Sequence, residues 1–80
     1  MEIEMNIGDK VQDHRGRDFV IKKVETVQEP EAATMVKRGW LPFILTLQGR
    51  ERERTAYVDE ATGEIRCMVS LNKTYPGRFK

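Results

Sequence analysis

Eighty residues make one domain, and a chain this short buries only about 60–65% of its unfolded surface, so its core is small. Charged residues are 34% of the chain against 39% hydrophobic, which leaves no apolar material for a second core. The 14 basic and 13 acidic residues are interspersed and sum to +1, so no global field selects nucleic acid, an anionic membrane or an acidic partner.

In chain order, residues 1–7 read as a lead-in, although Ile3, Met5 and Ile7 alternate and can add a short edge strand. Residues 8–13 form a first strand entered through a turn. Residues 14–18 are the next turn, with Gly16 as its flexible point. Residues 19–27 are rich in β-branched side chains and read as a long strand. Its alternation slips: Phe19 and Ile21 share one face, and Val24 falls on the other parity beyond Lys22 and Lys23. Either a bulge returns Val24 to the core, or the lysines guard an edge strand.

Residues 28–39 break the β pattern. Acids at Glu29 and Glu31, Pro30 near the start, bases at Lys37 and Arg38 and a closing Gly39 match the polarity of a short helix. It would pack Ala32 with Met35 or Val36 against the sheet; a long ordered loop is the alternative. Residues 40–48 return to strand, with Leu41, Phe43, Leu45 and Leu47 on one face and Trp40, Pro42, Ile44 and Thr46 on the other. Pro42 lacks a ladder donor, so it marks a strand start, an edge or a bulge. A polar connector, residues 49–54, leads into the clearest hairpin, residues 55–71. There Asp59 opens the turn, Gly63 supplies a positive φ, and Ile65, Cys67, Val69 and Leu71 share a face. Residues 72–80 form a basic tail.

Five strands joined mostly by short turns predict a mainly β fold: a small five-stranded antiparallel barrel or curled sheet with one short helical insertion. Gly8-Asp9-Lys10-Val11, then Gly16, then Phe19-Val20-Ile21 and Val24, resembles the first hairpin of SH3-like small barrels, including KOW and Tudor types. The resemblance spans residues 8–27, and beyond them it extends only to strand count; the insertion at 28–39 is long for such barrels. It implies a non-catalytic domain that binds protein or nucleic acid.

Catalytic chemistry finds little footing. His14 is the one histidine and lies at a turn, away from the inward-facing Cys67, and Ser70 has no evident partner. A single cysteine excludes a disulfide framework, and its place on the apolar face makes it a small buried hydrophobe. Asp59, Glu60 and Glu64 surround too short a loop for a dedicated calcium site, and no phosphate-binding glycine pattern occurs. No enzyme activity, cofactor or metal is expected. The longest apolar run, residues 40–47, is far short of a membrane span, and the acidic start is unlike a signal peptide, so a cytoplasmic protein is expected.

Two sets of surface residues carry binding chemistry. Trp40 and Ile44 face away from the core stripe and form an outer apolar patch suited to a protein partner or a second copy of the chain. Arg50, Arg52 and Arg54 alternate with Glu51 and Glu53, and are grouped with Tyr57 and with Lys73, Tyr75, Arg78 and Phe79 of the tail. Guanidinium groups beside rings suit phosphates or acidic peptides. The expected function is a non-enzymatic protein-interaction or regulatory module acting through this apolar and arginine surface. The alternative is weak, salt-dependent nucleic-acid binding through the arginines, Tyr57 and the tail.

Overall fold

The alternating apolar positions do lay down a sheet, but with seven strands rather than five. The computed structural model describes residues 5–70 and 73–79, the side chains of Val69 and Ser70 excepted. The strands are β1 (Lys10–Gln12), β2 (Asp18–Thr26), β3 (Phe43–Gln48), β4 (Glu53–Val58), β5 (Ile65–Ser70), β6 (Lys73–Pro76) and β7 (Arg78–Phe79), with a helix α1 (Glu31–Lys37) between β2 and β3. Every pairing is antiparallel, in the spatial order β6-β5-β4-β3-β2-β1-β7.

The two extra strands come from the segment expected as a tail. Only Gly77 separates β6 from β7, so one extended stretch pairs first with β5 and then crosses to β1. That crossing joins the two ends of the sheet into a nearly closed barrel. The Gly77 N–H donates to the Ile65 carbonyl at 2.9 Å. A Cβ on Gly77 would lie 2.8 Å from the Gln12 carbonyl oxygen, 3.1 Å from Ile65 Cγ2 and 3.2 Å from Cys67 Sγ. Glycine is needed here because three strands meet, not because of an unusual φ.

Inside lie Val11, Phe19, Ile21, Leu45, Leu47, Ala56, Val58, Ile65 and Cys67, with Met5, Leu41 and Phe43 packed at the margin. The stripe expected on β3 therefore faces inward, and Pro42 sits just before the strand's first residue. Cys67 is buried as expected, while Val69 and Leu71, expected on the same face, lie outside what is described. Met5 to Asp9 form a turn rather than an edge strand, and Ile7 is 71% exposed; Ile3 lies outside the described residues.

The irregular second strand does carry a bulge, but the bulge does not return Val24 to the core. The register shifts between Ile21 and Lys23, which brings Val24 opposite Leu45. Beyond Ile21, β2 has no partner on the β1 side among the described residues, so Val24 stays 38% exposed and the lysines line an open edge. Lys22 Nζ pairs with Glu53 of β4 at 3.0 Å.

The segment does form a short helix, of seven residues, and it buries Ala32 and Met35 while Val36 stays 42% exposed. Its C-terminus is a Schellman closure: Trp40 N–H donates to Met35 O and Gly39 N–H to Val36 O, both at 3.0 Å, with Gly39 at φ 84°. In the hairpin turn, Asp59 Oδ1 accepts the N–H groups of Ala61 and Thr62 at 2.9 and 3.0 Å, and Gly63 has φ 73°. These bonds, Thr62's first, hold the Asp59 carboxyl below its ordinary pKa.

Replacing Gly77 by alanine forces a Cβ against backbone and core atoms at the closure. Overpacking of this kind costs about 1–3 kcal/mol. The expected outcome is a lower midpoint in chemical denaturation; an unchanged midpoint would show that β6 and β7 are not clamped between β5 and β1.

Candidate functional site

The side-chain parity of the strands decides where each candidate falls. On β4, Ala56 and Val58 are buried, so Tyr57 between them points outward; it stands opposite Arg66 of β5. The register that pairs Leu45 with Ala56 sets Ile44 beside Tyr57 on that same outer face. Trp40 is delivered to it by the chain leaving α1. Glu60 N–H donates to Gly39 O, Leu41 N–H donates to Val58 O, each at 2.8 Å, and Trp40 bridges to Asp59.

The result is a stacked ring pair. Trp40 and Tyr57 have centroids 4.4 Å apart and planes 2° from parallel. The Tyr57 hydroxyl reaches Met68 Sδ at 3.7 Å, and the Arg38 guanidinium carbon lies 5.9 Å from the Trp40 ring centre. Trp40, Tyr57, Ile44 and Met68 are all half-buried, since each ring covers one face of the other. Arg38 and Met68 were missed in the sequence, although Arg38 stands only two residues before the tryptophan.

The arginines lie elsewhere, and their expected grouping with Tyr57 does not hold. Arg50 and Arg52 occupy the β3–β4 turn, both exposed. Arg54 pairs across from Leu47 and shares the inward parity of Ala56, three residues from Tyr57 and on the opposite face. Lys73 and Tyr75 join the same turn-bearing end from β6. Tyr75 stacks on His14 with centroids 4.2 Å apart and an interplanar angle of 19°. Lys73 Nζ lies 5.4 Å from the Tyr75 ring centre, and its hydrogen bond to the Tyr75 side chain raises its pKa. Arg78 is taken up by Gln12, whose Oε1 accepts from Nη2 at 2.6 Å and Nε at 3.0 Å. The His14–Tyr75 contact joins residues far apart in sequence and has no local signature.

One carboxylate organises this end. Asp13 is almost fully buried; its Oδ1 accepts the N–H groups of Arg15 at 3.0 Å and Arg17 at 2.8 Å, and its Oδ2 accepts from Arg17 Nε at 2.9 Å. Burial pushes the carboxyl's pKa up, but these bonds and the Arg17 charge together outweigh it, and the net shift is downward. Its neighbour Cys67 is pushed up by burial and further by the Asp13 charge, against an opposing pull from Arg54. That thiol is packed within the apolar core.

No family model, no curated protein and no solved structure matches the chain.

Asp13 yields a pH prediction. Its folded pKa lies below its unfolded one, so its stabilisation is fully present above the unfolded value near 3.8 and is lost as pH falls through the folded value. Asp13→Ala should cost about 1–3 kcal/mol at neutral pH through orphaned donors and a freed turn. Denaturation midpoints taken from neutral pH down into the acid range should converge for the two proteins. A gap that persists at the acid end would mean the carboxylate's charge is not what holds the turn.

Proposed function

We propose that this chain is a non-enzymatic interaction module, an SH3-like barrel that binds a protein partner through the outer face carrying Trp40, Tyr57, Ile44 and Met68. The observation that carries this is the Trp40–Tyr57 stack. Two large rings are held parallel on the outer face beside Ile44 and Met68, with Arg38 and Arg66 at the rim, and neither ring is part of the core cluster. Rings fixed before binding lose little side-chain entropy when a partner arrives, which is why Trp and Tyr dominate the energetics of interfaces.

The rim defines the partner's chemistry. Arg38 stands beside Trp40, and Arg66 stands beside Tyr57 with only a long contact of 3.8 Å to Glu64. A complementary surface presents an apolar or aromatic anchor flanked by carboxylates. A second copy of the chain is the other occupant to consider, and its own Glu25, across from Ile44, would supply one such carboxylate.

Trp40→Ala and Ile44→Asp test the face. Light scattering reads self-association, and capture from the native host reads partner binding. Each substitution should weaken the assembly by about tenfold or more, as expected of a central aromatic or apolar contact. Unchanged assembly and unchanged capture in both variants would remove the outer face from consideration.

A further inference from the structure

We infer that the turn-bearing end of the barrel binds a single-stranded nucleic acid, with phosphates along Arg50 and Arg52 and a base stacked on the His14 ring. This site is separate from the outer aromatic face, and either can fail without the other.

The charge pattern comes first. On the walls Lys22 pairs with Glu53 and Lys23 with Glu25, and at the β1–β2 turn Arg17 pairs with Asp13. Arg50 and Arg52 have no ion-pair partner among the described residues, and they lie in one turn beside the β1–β2 turn carrying Arg15 and Arg17. Between the two turns runs an open groove of about 610 Å³, bordered by Arg17, Phe19, Arg50 and Arg52. Nucleotide-sized groups fit sites of about 300–1,000 Å³.

The turns are also fixed in place. Asp13 ties down the β1–β2 turn, as described above. In the β3–β4 turn Gly49 N–H donates to Arg52 O at 2.7 Å, and the Gln48 side chain donates to Gly49 O and Arg52 O, each at 3.2 Å. The arginine side chains thus start from a set backbone, which lowers the ordering cost of binding.

The rings distinguish nucleic acid from a merely acidic ligand. His14 is exposed and lies on Tyr75, with Lys73 near the same ring, so cation, phenol and imidazole form a short ladder. A base extends such a ladder, whereas a carboxylate chain has no flat face to offer. Stacking of this kind requires a base that is not paired within a duplex. Asp18 and Glu51 border the groove as well, and they keep the site weak and strongly dependent on salt.

Fluorescence anisotropy of a labelled, short, mixed-sequence single-stranded oligonucleotide, titrated with the full chain over a range of salt, reads the site. Binding should appear at about 20 mM salt and fall off by about 200 mM, with Arg50→Gln/Arg52→Gln flattening the log–log slope by about 1.4, or about 0.7 per phosphate contact. His14→Ala should weaken binding by about fivefold or more with little change in slope, the mark of a lost stacked base. All three side chains are exposed, so the variants should keep the wild-type melting midpoint. The inference is overturned by no binding at low salt or by a slope indifferent to the two arginines. It is equally overturned by a duplex binding as tightly, or by polyglutamate displacing the oligonucleotide as well as unlabelled strand does.

Discussion

The structure depends on how its sheet closes. A sheet of short strands leaves two unsatisfied edges, and in a chain this small neither can be covered by another layer. The solution is a single C-terminal stretch that serves both edges, lying against β5 as β6 and against β1 as β7. Its crossing point passes so near the Gln12 carbonyl and the Ile65 and Cys67 side chains that no Cβ fits. Because closure uses β6 and β7, the barrel is complete only when both strands are in place. Among the described residues, nine buried apolar side chains fill the interior it encloses.

The insertion between β2 and β3 shows how a weak element can place a strong one. A seven-residue helix is too short to persist without tertiary support. It is held by Ala32 and Met35 on its buried side and by the Schellman closure at Gly39. What that closure delivers is Trp40, turned back against the end of β4 and laid over Tyr57. The helix thus acts as a bracket: its C-terminal geometry fixes the one tryptophan of the chain.

How much of this could be read from the chain depended on range. Alternation on β3, the Asp59 and Gly63 turn, the acid-to-base order of α1 and its terminal glycine are local signals, and each corresponds to what the backbone does. The C-terminal strands carry no such signal: Pro76 and Gly77 interrupt the period, and the segment is extended only because two partners lie on either side of it. The site residues divide the same way. Trp40 and Ile44 could be assigned outward from parity alone. Arg54 and Tyr57 are separated by an odd step, so strand geometry sends them to opposite faces however similar their chemistry. The His14–Tyr75 stack needed the barrel to be closed before its two rings could meet.

The near-zero net charge also conceals more than it reveals. Thirteen acids and fourteen bases give an even total, but the charges are matched at some positions, on the walls and at the turns alike, and not at others. Cross-strand and along-strand ion pairs at 3.0–3.2 Å hold Lys22 and Lys23, and exposed pairs of this sort add little stability. Such pairs cancel charge locally. The end where β1–β2 and β3–β4 turn and β6 begins is mixed in the same way: Arg17 is bound to Asp13 at 2.9 Å, and Asp18 and Glu51 lie in the groove beside Arg50 and Arg52. Strand pairing fixes which charges meet a partner across the sheet and which turns share an end, so arginines distant in the chain are brought together there without a large net charge.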